Sequence, residues 1–157
     1  MHESHNLTKV YICAYFLNQG ALGTCFGQKP LTSPVQYFLG EDLEIFILSP
    51  DGGKFKAIKE NPNVCLLVNA DYLSYKIKGV QVFGTAKTSL EDEKLYDEAM
   101  MFLTDPNIID IEMEKLKVIK IVPQEIVYLD AFKDENRTKQ IIENGHIRDK
   151  DEDILLY

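Results

Sequence analysis

The 157-residue chain has no apolar run approaching the roughly 20 residues that cross a bilayer, so no membrane-spanning helix is expected. Its opening, MHESHNLTKV, lacks a basic stretch leading into an apolar one, so no secretory signal is expected either. Positive charge is scarce: 17 Lys and Arg stand against 25 Asp and Glu, a formal net charge of -8. The mean field repels nucleic acid and acidic membrane surfaces, which removes both as general partners while leaving room for a local basic pocket. Cysteine is sparse. Cys13, Cys25 and Cys65 are odd in number and widely spaced, which excludes a disulfide framework and a CxxC site. Cys65, inside NVCLLV, is expected to be a buried structural thiol. The three histidines, His2, His5 and His146, lie near the two ends and share no metal-ligand spacing with cysteines or carboxylates. They are expected at the surface, and no metal site is expected. No nucleophile, base or triad declares itself, so the catalytic residues are unassigned. A cytoplasmic protein fits these absences.

What is present is enough apolar sequence, 45% of the residues, for one compact domain with a real core. Leu7, Val10, Ala14 and Leu17 fall near one helical face, and Gly20 is placed to end an N-terminal helix. ALGTCFG then reads as a short strand. SPVQYFLGEDLEIFILS reads as two strands joined at GED, the second denser in apolar residues. NVCLLVNA is a further strand. IKGVQVFGTAKTSL is another, and its Gly79 and Gly84 mark a bulge or a close backbone approach. Ser89, followed by Glu91, Asp92 and Glu93, reads as a helix start, with Leu95, Ala99 and Phe102 as the inward stripe. LKVIKIV and EIVYLD read as two strands meeting around Pro123, with Lys117 and Lys120 on a wet face. Residues 1–132 are expected to form the domain. Residues 133–157 are expected to be a charged tail with a short helix around Gln140 to Glu143. Short hairpins favour antiparallel pairing, because parallel crossovers need a dozen or more residues. Barrel closure would protect the edges.

The segment SPDGGKFKAIKENP, from Ser49 to Pro62, carries the chemistry. Lys54 to Glu60 has the makings of a short helix, with Phe55 and Ile58 on its buried face and Asn61-Pro62 as its stop. Gly52 and Gly53 lack side chains, so their amides can approach an anion closely. A helix beginning near Lys54 would point further amides the same way, and Lys54, with Lys56 or Lys59, would add charge. Equally, DGG is an ordinary turn signal and scattered lysines usually face solvent. Tyr37, Phe38 and Phe46 could line a flat cofactor, although core positions are expected for two of the three.

The pieces ALGTCFG, SPVQYF, LEIFILSPDGGKFKAIKENPNVCLLV, GVQVFGTA and LKVIKIVPQEIVYLD, in that order, span roughly residues 20 to 130. Together they resemble the FMN-binding split barrels related to pyridoxamine 5'-phosphate oxidase. The resemblance implies a six-stranded antiparallel split β-barrel with peripheral helices, assembled as a homodimer with FMN in grooves at the subunit interface. It implies that Lys54 contacts the FMN phosphate, with Ser49, Gly52, Gly53 and Lys56 around it. It implies that Thr32, Ser33, Val35, Gln36 and Tyr37 run beside the flavin, and that Ile47 and Leu48 approach it. The function implied is an oxidoreductase passing electrons between a small-molecule donor and acceptor. The chain departs from the oxidase at several points. Gly52-Gly53 stands where the oxidase has Ser-Arg, Thr32 where it has a phosphate-binding arginine, and Gly79 where it has a glutamine. Residues 131 to 157 lack its arginine-rich signature. These departures point away from the oxidase itself and toward small relatives that bind FMN, another flavin or deazaflavin, or haem. A non-catalytic ligand-binding or haem-binding barrel is the alternative.

Overall fold

A computed structural model describes residues 19–73, 76–103, 115–130, 138–143 and 146–151. The expected N-terminal helix, Cys13, His2 and His5 lie outside the described residues. The strands are β1 (Gln19–Phe26), β2 (Lys29–Leu39), β3 (Ile45–Pro50), β4 (Asn63–Leu73), β5 (Lys76–Thr88), β6 (Leu116–Asp130), β7 (Thr138–Glu143) and β8 (His146–Asp151). Helix α1 (Gly53–Glu60) links β3 to β4, and α2 (Lys94–Phe102) lies between β5 and β6. The sheet runs β3-β2-β1-β4-β5-β6-β7-β8, and β3 also pairs with β6. That extra pairing closes the first six strands into a ring, and every pair in it is antiparallel. The expected six-stranded barrel is the architecture observed. No described helix is long and apolar enough to cross a membrane.

Period-two alternation decides what fills the barrel. Leu22, Tyr37, Ile47, Leu66, Val80, Ile119 and Ile121 face inward at 0–1% exposure. Each such side chain contributes about 1.5–3 kcal/mol by leaving water. On the other side of β3 and β6, Phe38, Phe46 and Val118 pack under Leu95 and Ala99 of α2. Phe46 stacks between Phe38 and Phe102, with ring centroids 5.7 and 5.8 Å away. All three aromatics considered for a cofactor wall are thus core, Tyr37 in the barrel and the other two beneath α2.

Four expectations are corrected. The stretch around Gln140 to Glu143 is a strand, not a helix. Ile142 faces the barrel core while its neighbour Ile141 is buried on the opposite face, a pattern that suits period two. It pairs with β6, so this part of the tail continues the sheet. LKVIKIV and EIVYLD form one strand, β6, and Pro123 sits at a bulge where Gly84 approaches it closely. Ser89 does not cap a helix. Its hydroxyl accepts the Val118 amide at 2.9 Å, and the Asp92 carboxylate takes the Lys94 amide instead. Lys120 is not on a wet face. Its ammonium lies 5.6 Å from the Phe46 ring centroid and pairs with Glu44 at 3.0 Å and with Glu98. Burial depresses that ammonium, but the hydrogen bonds and charges of the two carboxylates outweigh it and raise its pKa.

One buried polar group has no partner among the described residues. Thr24 faces inward on β1 at 5% exposure, and its hydroxyl makes no hydrogen bond. A buried unsatisfied hydroxyl costs about 1–3 kcal/mol. Thr24→Val keeps the shape and removes that cost. It is expected to raise unfolding free energy by roughly 1 kcal/mol in urea titration. An unchanged or lowered midpoint would show that the hydroxyl is satisfied in solution.

Candidate functional site

The barrel wall is incomplete on one side. β2 and β3 pair only through Tyr37 with Ile47, Phe38 with Phe46, and Leu39 with Ile45. Below that point Lys29 to Gln36 pairs with β1 alone, and Leu48 to Pro50 pairs with β6 alone. Beyond that point no pairing joins the two strands, so the wall is split there. Helix α1 begins directly after Pro50-Asp51-Gly52, on the β3 side of this split.

Local sequence explains why α1 sits there. Phe55, Ala57 and Ile58 are 0–1% exposed and close the end of the barrel against β1 and β5. The far end of the helix is tied down, since Glu60 accepts the Gly27 amide at 3.2 Å. Asn61 ends the helix by donating to the Ala57 carbonyl, and its side chain accepts the Asn63 amide at 3.1 Å. The buried face of the helix and these C-terminal bonds set where its first turn lies. The Phe55 amide donates to the Gly52 carbonyl at 3.1 Å, which leaves the Gly53 and Lys54 amides without an acceptor within the helix.

Around that first turn the groups converge. The Lys54 ammonium bends back to 3.9 Å from where a Gly52 Cβ would lie, and it stands 5.6 Å from the Phe55 ring centroid. Burial pushes the Lys54 ammonium below the usual lysine range, and the charge of Asp51 acts in the opposite direction. Among the described residues a Cβ on Gly53 would meet nothing within 4 Å, so they leave the space above this turn open. The donor set is chemically suited to an anion: one half-buried ammonium, glycine amides and a helix N-terminus. The space and the donors fit a phosphate of the kind the resemblance implies.

The other expected positions divide by strand period. Ser49 is buried, and its hydroxyl donates to the Pro50 carbonyl at 3.2 Å. Lys56 is exposed and lies two residues from Lys54 on the helix, so the two lysines do not face one another. Thr32 and Gln36 are exposed on the β2 lip, and Ser33 is half-buried beside them on the inward side. Val35, Tyr37 and Ile47 are barrel core, so those positions can offer a ligand only their backbone. Leu48 packs toward α2. Cys65 is half-buried on the outer face rather than in the core, and burial pushes its thiol up. His146 is exposed.

Two residues were missed. Asp51 accepts the Gly52 amide at 2.7 Å, and the Asp-Gly-Gly turn was the available signal for it. Lys117, expected with Lys120 on a wet face, is instead half-buried and pairs in register with Ser49 across β3 and β6. Nothing local marks it, because that pairing joins segments nearly seventy positions apart.

Two cross-strand rows of the outer face carry no charge over four strands. In one cross-strand row stand Thr32, Gly23, Cys65 and Phe83, and in the next Pro34, Ala21, Leu67 and Gln81. Phe83 is 38% exposed there.

The family model described as pyridoxamine 5'-phosphate oxidase matches residues 17–130. Among solved structures, General Stress Protein 26 from Bacillus anthracis is 25% identical at a TM-score of 0.59, over 79% of this chain and 93% of that one. A pyridoxamine 5'-phosphate oxidase-related, FMN binding protein from Nostoc punctiforme is 9% identical at a TM-score of 0.58, over 96% and 93%. The FAD binding protein from Mycobacterium smegmatis is 18% identical at a TM-score of 0.57, over 76% and 90%. The latter two likenesses speak for the fold. No curated protein matches the chain.

Proposed function

The chain belongs to the pyridoxamine 5'-phosphate oxidase family, and on that premise we propose that it binds a flavin, FMN foremost, and serves as an oxidoreductase. The observation that carries this reading is the open Gly52-Gly53 turn with the half-buried Lys54 ammonium folded over it, at the mouth of the split barrel. Relatives of the same fold described as FMN binding and FAD binding support it. A flavin supplies hydride and paired-electron chemistry through its own ring, so the protein need only position it and control access. In this reading Lys54 and the first amides of α1 hold the phosphate. The β2 lip, with Thr32 and Gln36, borders the ring. The donor and acceptor are small molecules reaching the same split. Cysteines without a disulfide pattern fit a reducing, cytoplasmic compartment.

The test is direct. Freshly purified protein is expected to absorb in the flavin region, or to take up FMN with one-to-one stoichiometry in a fluorescence titration. Binding of neither FMN, FAD nor a deazaflavin would sink the reading.

The proposal extends to a homodimer. A split in one wall leaves a flat ring partly uncovered, and a second copy can cover it. The uncharged rows from Thr32 to Phe83, with Phe83 exposed, are the face we assign to a two-fold contact. Light scattering at micromolar concentration is expected to give about twice the 18.0 kDa chain mass. Added FMN is expected to raise the melting temperature by mass action. A strict monomer that binds FMN tightly would overturn the shared site.

A further inference from the structure

The anion cradle of the proposed flavin site already holds an anion of the chain's own. The Asp51 carboxylate accepts the Gly52 amide at 2.7 Å, the bond an incoming phosphate oxygen would make. Its charge also acts on Lys54, whose ammonium bends back over the same turn. One acid therefore takes one donor of the cradle, and its negative charge is felt at the Lys54 ammonium.

We propose that Asp51 is a specificity-determining residue whose carboxylate occupies the Gly52 amide and repels the ligand phosphate, and so narrows the preference of the site for FMN over FAD and riboflavin. This rests on the flavin reading above. A phosphate that enters the cradle must displace Asp51 or share the space with it. The repulsion between like charges grows in proportion to the ligand's charge. A phosphomonoester such as FMN carries close to two charges on one phosphorus at neutral pH. The diphosphate bridge of FAD carries one charge per phosphorus, and riboflavin carries none. The penalty from Asp51 therefore falls in that order.

Asp51→Asn tests this, because the amide oxygen can still accept the Gly52 amide while the charge is gone. FMN, FAD and riboflavin are titrated into parent and variant by flavin fluorescence at fixed pH and salt, with thermal melts to confirm equal folding. The variant is expected to bind FMN at least ten-fold more tightly and FAD more tightly by a smaller factor, with riboflavin unchanged. Asp51→Ser, which keeps an oxygen acceptor, gives the same comparison if the asparagine variant melts early. Equal FMN affinity in parent and variant would overturn the inference and leave the flavin reading standing. An equal gain for riboflavin and FMN would also overturn it, since the effect would not act through the phosphate. Failure of all three ligands to bind either protein would reject the flavin reading and this inference together.

Discussion

Lys54→Met is expected to weaken FMN binding by ten-fold or more while leaving the ligand-free fold intact. A charged hydrogen bond to a phosphate contributes on the order of 1.5–3 kcal/mol, and about 1.4 kcal/mol is a factor of ten. Methionine is the informative replacement because the lysine lies against the Phe55 ring, and an unbranched apolar side chain preserves that packing. Riboflavin, which has no phosphate, should bind both proteins alike. The pH dependence has a definite sign. Burial lowers the Lys54 pKa in the folded chain, with Asp51 acting against the shift. FMN affinity should therefore fall as pH rises through that lowered value, earlier than for an ordinary lysine. Stability of the ligand-free protein moves the other way. Between the folded and unfolded pKa values only the unfolded chain holds the proton, so this residue makes stability rise with pH in that window. Both trends should vanish in Lys54→Met. Equal FMN affinity in variant and parent at the same salt would defeat the assignment.

The readable parts of the fold are those in which neighbouring residues settle the matter. Helix α1 was expected from Lys54 to Glu60 and runs Gly53–Glu60, because Phe55 and Ile58 share a face and Asn61-Pro62 forbids another turn. The inward stripe of Leu95, Ala99 and Phe102 was equally plain, since spacing alone defines it. Its starting residue was not. Ser89 has a good capping side chain, but the Val118 amide of β6 claims its hydroxyl, and no local pattern announces a partner so distant. The pairing of β3 with β6 that closes the ring is of the same kind. Barrel closure was expected, but nothing in the sequence named β3 and β6 as the strands that close it. The tail misled for a related reason. Ile141 and Ile142 look weakly periodic amid charge, and they become a strand because β6 offers Val127 and Ile126 as partners.

At the candidate site, the backbone requirement was legible and the electrostatics were not. Glycines before a lysine at a helix start announce an open turn, and the structure has one. The stretch Thr32 to Tyr37 was read as a single wall, but a strand shows alternate residues to opposite faces. Val35 and Tyr37 accordingly went to the core while Thr32 and Gln36 stayed at the lip. Asp51 was passed over as a turn residue. Its bond to the Gly52 amide depends on turn geometry, which residue types cannot convey.

Gly84→Ala is expected to be the most damaging single methyl in the described barrel. A Cβ built on Gly84 would lie 2.3 Å from the Val122 carbonyl oxygen and 3.0 Å from its carbonyl carbon. These are backbone atoms, so no side-chain rotation relieves the clash. The position lies at the bulge between Phe83 and Gly84, opposite Pro123, where β5 and β6 approach closely. β6 cannot simply move away. Ile121, next to Val122, pairs with Ile45 of β3, and that ladder closes the ring. A shift of β6 would strain both pairings and the fully buried Ile119 and Ile121. Overpacking in a well-packed core costs about 1–3 kcal/mol, and a clash against fixed backbone belongs at or above the top of that range. For a chain of this length about 3 kcal/mol corresponds to roughly 6–12 °C in melting temperature. Gly53→Ala provides the contrast, since its Cβ meets nothing within 4 Å among the described residues and the variant should melt with the parent. Thermal melts of the three proteins decide it. Equal melting of Gly84→Ala and the parent would mean that β5 and β6 are held apart in solution and that the ring is closed some other way.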